Sequence, residues 1–187
     1  MLRVALTGNI ASGKSTVQKI LEANGLKVLD TDKAAHEILE ISDEVKTAFP
    51  DCIENGKICR EKLGKLVFSN EKSKQKLESI IHPEIRAKIL AFFTENRTEK
   101  VCFVGIPLLY EAGMQDLFDK DLLIYTDDGI REDRLISRNN YTLQYAHLRM
   151  NSQISQDEKL HLCDYVIYNN GSIDELKVAV DKFLSKI

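Results

Sequence analysis

The sequence has no Cys-x-x-Cys pair. Its four cysteines, Cys52, Cys59, Cys102 and Cys163, are too scattered for a zinc site or a redox couple. They are also too few to frame 187 residues with disulfides, which points to a cytosolic, cytoplasmic chain. There is no basic surplus: 26 Lys+Arg against 29 Asp+Glu give a formal charge of −3, and the pI is about 5.9. That balance argues against a nucleic-acid partner. No apolar run approaches the length of a membrane span, so no membrane association is expected. The opening "MLRVALTG" turns polar too soon for a signal peptide. Internal repeats and low-complexity linkers are missing too. What is left is a soluble globular chain, and 43% hydrophobic with 29% charged residues fits one.

Five short apolar, β-prone runs stand out: Arg3–Thr7, Lys27–Asp30, Val101–Gly105, Leu122–Thr126 and Tyr165–Tyr168. They are continuous rather than alternating, which suits strands covered on both faces of a parallel sheet. Helical patterns lie between them, so the expected fold is α/β: a five-stranded parallel sheet flanked by helices. The first helix should begin near Lys14, carry Val17, Ile20 and Leu21 on its apolar stripe, and end at Asn24-Gly25. No strand is expected between Asp32 and Asn96. Pro83 should open a new helix there or kink one. Ser155 with Glu158, and Ser172 with Glu175, have the spacing of capping boxes. The last helix should bury Leu176, Ala179, Val180, Phe183 and Leu184.

Chemistry enters with Gly8-Asn9-Ile10-Ala11-Ser12-Gly13-Lys14-Ser15, which fits G-x-x-x-x-G-K-[ST] and is followed by Thr16. Glycines let such a loop curl its N–H groups inward, and the helix N-terminus adds partial positive charge. Gly8, Ala11, Ser12, Gly13, Lys14, Ser15 and Thr16 are therefore candidate nucleotide-binding residues. Lys14 would reach the β- and γ-phosphates, and Ser15 would ligate Mg²⁺.

Asp32 follows the second strand, where open α/β sheets present their ligand crevice. It could take a proton from an acceptor hydroxyl, hold a Mg²⁺-bound water, or cap the helix "KAAHEIL". Glu111, after the third strand, could act near a metal or serve as a first-turn helix acid. Arg131, Arg134 and Arg138 fall at helical spacing in a polar segment, with Arg149 beyond. They could neutralise a moving phosphoryl group or form a solvated helix face. His82 could enter a helix or touch the acceptor. No N-K-x-D guanine-reading motif is present, which counts against a GTP switch. Another small phosphate-loop kinase remains the nearest alternative.

Taken together, "VALTGNIASGKSTV", "VLDTD", "IIHP", "PLLYE", "RLISRN", "RMNSQ" and "CDYVIYNNGSIDEL" resemble, in order and distance, the dephospho-CoA kinase family. The resemblance runs over nearly the whole chain. It implies transfer of the ATP γ-phosphoryl group to the ribose 3′-hydroxyl of dephospho-CoA, giving CoA and ADP, with Mg²⁺. It implies one kinase domain over residues 1–187: a core of 1–32, 97–126 and 155–187, a helical acceptor-binding region over 33–96, and a lid over 127–154. By the same resemblance Asp32 is the general base and Arg138 a lid arginine approaching ATP. Arg134 or Arg149 assists, and Asn169 and Asn170 lie near the ATP base. Three positions depart from the family. Asn9 and Ala11 stand where glycine is usual, and Asn139 where aspartate is usual. Asparagine tolerates positive φ, whereas Ala11 is expected at negative φ.

Overall fold

The structure is a computed structural model that describes residues 1–139 and 141–187. In chain order it holds β1 (Leu2–Thr7), α1 (Lys14–Ala23), β2 (Lys27–Asp30), α2 (Thr31–Ile41), α3 (Asp43–Ala48), β3 (Ile53–Glu54), β4 (Lys57–Ile58), α4 (Arg60–Ser69) and α5 (Glu71–Glu95). Then come β5 (Val101–Gly105), β6 (Lys120–Tyr125), α6 (Asp128–Asn139), α7 (Leu143–Met150), α8 (Gln156–Leu160), β7 (Tyr165–Tyr168) and α9 (Ile173–Leu184). The chain divides into two compact units, one of residues 1–29 and 93–187, the other of residues 30–92.

The first unit carries the expected five-stranded parallel sheet, in the order β2-β5-β1-β6-β7. β1 runs parallel to β5 on one side and β6 on the other, and β6 to β7. β1 is thus the strand at which the order reverses, and the loop that leaves its C-terminal end opens at a switch point. One core face packs Val4, Leu6, Phe103, Leu122, Ile124 and Ile167 against Val17 and Leu21 of α1 and Leu176, Val180 and Phe183 of α9. Phe183 meets Phe103 and Tyr165 edge to face, a favoured aromatic geometry.

Carboxylates set the register at the opposite, N-terminal ends of the strands. Asp119 accepts from the Arg3 backbone N–H at 2.8 Å and from its guanidinium at 2.6 Å. Asp164 accepts from the Asp121 N–H, while its own N–H donates to Asp121 Oδ1. Tyr110 donates its hydroxyl to Asp121 at 2.7 Å, and burial pushes that phenol far above its ordinary value. The helix ends follow their sequence signals. Gly25, at φ 78°, closes α1 with Gly25 N–H to Glu22 O and Leu26 N–H to Leu21 O. Ser172 and Glu175 make a complete capping box before α9, and Ser155 accepts from the Glu158 N–H before α8.

The second unit has its own core of Val45, Phe49, Cys52, Ile58, Leu63 and Ile80. One expectation fails in this stretch, and one of the two readings of Pro83 is excluded. A strand pair does occur: β3 and β4 form a short antiparallel hairpin, Ile53 opposite Ile58. Its turn is Asn55-Gly56, both at positive φ (51° and 76°), which two-residue hairpin turns favour. Nor does Pro83 open a helix; it lies inside α5, and His82 therefore lies in mid-helix rather than at a helix entry. Proline removes one bond of the ladder and its ring crowds the carbonyl four residues back, yet the helix continues on both sides of it.

Candidate active site

The glycine-rich loop joins β1 to α1. Inside it Ser12 N–H donates to Asn9 O at 3.0 Å, and Thr16 and Val17 N–H both donate to Gly13 O. Gly13 caps α1 in a left-handed conformation, φ 94°. A Cβ there would also collide with Asn169 Nδ2. At Gly8 a Cβ would sit 2.5 Å from Ser12 Oγ and 2.8 Å from Ile124 O, so the loop lies tight against β6. Both glycines are fixed by close approach.

The loop's carbonyls are gripped from behind. Arg131 Nε donates to Ile10 O at 3.0 Å, and Arg134 Nη1 to Ala11 O at 3.1 Å. Asn169 Nδ2 and Thr126 Oγ1 both donate to Ser12 O, at 2.7 and 2.8 Å. In a trans peptide the C=O and the following N–H point in opposite directions. Pinning the Ile10 and Ser12 carbonyls toward these side chains therefore turns the Ala11 and Gly13 N–H groups the other way, as an anion-binding nest requires.

This grip explains a correction. Ala11 sits at φ 63°, not at the negative φ expected of alanine, and Asn9 is not among the positive-φ residues. A left-handed alanine costs roughly 1–2 kcal/mol. Charge-assisted hydrogen bonds from two arginines, each worth roughly 1.5–3 kcal/mol, offset that cost. Arg131 and Arg134 lie one turn apart on α6 and present two donors to two successive carbonyls.

α6 is thus more than a polar lid segment. Arg131 is buried and also pairs with Asp128 at 2.8 Å; burial pulls its pKa down. Arg134 donates its second Nη to Asn169 O at 3.1 Å. Its pKa is lowered by burial and then by the nearby Arg138 charge. Arg138 is exposed near the end of α6, next to Asn139, and Arg149 lies in the last turn of α7. Lys14 is buried and Ser15 exposed at the start of α1. Asn170 accepts from the Asp127 N–H at 2.9 Å, bracing the turn after β7 against the start of α6.

In the second unit, the helix cap, one of the three readings of Asp32, belongs to Asp30. The Asp30 carboxylate accepts from the Asp32 N–H at 3.0 Å, and Asp32 lies in the first turn of α2. Glu111 is not a helix acid: it lies in a turn, pairs with Lys159 at 2.9 Å and accepts from the Ile154 N–H at 3.1 Å.

Several residues of this constellation lie outside the sequence motifs or take no role from them. Gln153 Oε1 accepts from the Ile10 N–H at 2.8 Å, and Asn9 Nδ2 donates to Ile154 O at 2.8 Å. Gln156 is buried and bonds both the N–H and the C=O of Thr126. The available sequence signal is a polar residue directly after an apolar strand, as at Thr126 and Asn169, because strand ends of a parallel sheet converge on one crevice.

With this geometry in place, the likeness to known proteins is specific. A family model described as dephospho-CoA kinase matches residues 2–175. The dephospho-CoA kinase of Geobacillus kaustophilus is 40% identical, with 94% of this chain and 92% of that one covered. That of Fusobacterium nucleatum is 38% identical, covering 98% and 97%. A solved dephospho-CoA kinase from Campylobacter jejuni superimposes with a TM-score of 0.75 at 34% identity, covering 98% and 96%. The chain belongs to the dephospho-CoA kinase family.

Proposed function

We propose that this chain transfers the γ-phosphoryl group of ATP to the ribose 3′-hydroxyl of dephospho-CoA, releasing CoA and ADP. The family carries out the final ATP-dependent step of CoA biosynthesis. The observation that carries the reading to this chain is the phosphate loop held by Arg131, Arg134, Asn169 and Thr126, which turns backbone donors toward a triphosphate.

In this mechanism the loop amides and Lys14 bind the β- and γ-phosphates and draw charge from the oxygens that gain it. Asp32 accepts the proton of the 3′-hydroxyl as its oxygen forms the new bond to the γ-phosphorus. The bond from that phosphorus to the β,γ-bridging oxygen breaks, and ADP leaves. Arg138, with Arg149, covers the transferring group and excludes water, which would otherwise compete as acceptor. Arg134 contributes through the loop that it holds, and Asn170 through the turn beside the base.

No group of three His, Cys, Asp or Glu side chains among the described residues could hold a metal alone. Mg²⁺ suits this donor set, since it takes few protein ligands and completes its shell with phosphate oxygens and water; Ser15 Oγ would be its protein ligand. Bound there, Mg²⁺ would neutralise phosphate charge.

No helix among the described residues is long and apolar enough to cross a membrane. A small-molecule acceptor and a cytoplasmic setting agree with that and with the acidic balance.

The deciding experiment supplies ATP and dephospho-CoA and identifies the product by mass. CoA formed in step with ADP supports the reading; ADP without CoA refutes it. Asp32→Asn should bind ATP as the parent does yet lose turnover by about 10²-fold or more. Near-parental turnover would remove Asp32 as the base.

A further inference from the structure

Lys159 takes no part in the mechanism above, yet its side chain is 0% exposed. A buried ammonium is costly, and an apolar side chain of similar volume is often as good for stability or better. Its contacts therefore need a reason beyond stability. Nζ lies 2.9 Å from Glu111 Oε1 and 3.4 Å from the Pro107 carbonyl. Burial lowers the Lys159 pKa, while the hydrogen bond and charge of Glu111 raise it.

Each partner leads to the phosphate loop. The Pro107 carbonyl also accepts from Thr7 Oγ1 at 3.2 Å, and Thr7 immediately precedes Gly8. Glu111 Oε1 also accepts from the Ile154 N–H, whose own carbonyl takes the Asn9 amide. The neighbouring Gln153 takes the Ile10 N–H. Thr7, Asn9 and Ile10 are thus tied to chain segments that converge on one buried cation. The side chains on α6 and just past β6 and β7 that grip Ile10, Ala11 and Ser12 hold the carbonyls of the loop's later part; the Lys159 network holds its entrance.

We propose that the Lys159–Glu111 pair is a positioning device for ATP, fixing the entrance of the phosphate loop through Pro107 and the Gln153–Ile154 segment. Neither side chain is assigned a contact with the nucleotide. The inference rests on the kinase reading only for its turnover assay, because ATP binding is measured without acceptor.

The test compares Lys159→Met, Gln153→Leu and the double variant, each first shown to melt cooperatively. Calorimetry gives the ATP Kd, and steady-state rates give the KM of each substrate. Lys159→Met should raise the ATP Kd and KM about tenfold or more and leave the dephospho-CoA KM within about twofold. The double variant should be little worse than the poorer single one, because both changes free the same segment. A folded Lys159→Met protein with parental ATP affinity overturns the proposal. So do equal losses toward both substrates, or fully multiplicative losses in the double variant. If Lys159→Met does not fold, Glu111→Gln replaces it with the same expected split. If neither folds, the pair is a stability element and the proposal fails. If the parent binds ATP but makes no CoA, the acceptor assignment falls while the binding arm still decides this one.

Discussion

The Arg134 guanidinium donates to the Ala11 carbonyl at 3.1 Å across 123 residues of sequence. The contact connects the helical segment after the fourth sheet strand along the chain to the one non-glycine residue of the phosphate loop that adopts a left-handed conformation.

If that contact compensates a backbone cost, removing the cost stabilises the protein. Ala11→Gly should raise stability by up to about 1 kcal/mol, part of the relief being lost to the greater freedom of glycine in the unfolded chain. In a chain of this size that corresponds to roughly 2–4 °C in Tm. Ala11→Val, with a β-branched side chain at φ 63°, should lower Tm and weaken ATP binding. Differential scanning calorimetry on the three proteins checks the order.

The paired donors on α6 predict a different effect. Arg134→Met leaves the Ala11 and Asn169 carbonyls without their cation, so ATP KM should rise by about tenfold or more. Arg134→Lys should rescue little, because an ammonium cannot span two carbonyls as the planar fork does. Near-parental KM in Arg134→Lys would show that charge alone suffices.

Asp30 and Asp32 separate by readout. Asp30→Ala removes the α2 cap, costing about 1 kcal/mol, and should lower Tm while sparing ATP affinity. Asp32→Asn should keep the α2 cap and the parental ATP affinity and remove turnover. The reverse pattern would exchange the two assignments.

Asp119 predicts an acid dependence. The Arg3 side-chain hydrogen bond holds its carboxyl below the ordinary carboxylate range. Its stabilising contribution is then fully present above the unfolded value, near pH 4, and is lost as pH falls through the lower folded value. The Tm gap between the parent and Asp119→Asn should be constant at neutral pH and close on acidification. A gap that widens in acid would contradict the assignment. The carboxylate is 37% exposed, so solvent screening keeps the effect modest.

Legibility in the sequence followed locality. The five strands of the large sheet read clearly because both-face burial demands continuous apolar runs. The phosphate loop read clearly because its glycines and lysine are adjacent. The β3–β4 hairpin did not, because two-residue strands have no period and only Asn55-Gly56 marks the turn. Pro83 left two readings open, a new helix or a kink, because the local rule counts a lost bond and a ring clash but not the burial of Ile80, Ile85 and Ile89 on either side of it within α5. Ala11 misled for a further reason. Its φ is set by Arg131 and Arg134, more than 100 residues away, and such partners leave no trace in the local pattern.

That distance also governs when the site comes into being. Asn169, which holds the Ser12 carbonyl, follows it by 157 residues and sits just past the last strand of the sheet. A chain emerging from the ribosome exposes its glycine-rich loop first and the side chain that shapes it nearly last. Loops closed over such separations form late in folding. Nucleotide binding therefore reports completion of the fold: a chain cut short before Asn169 keeps the whole signature sequence and lacks the cradle.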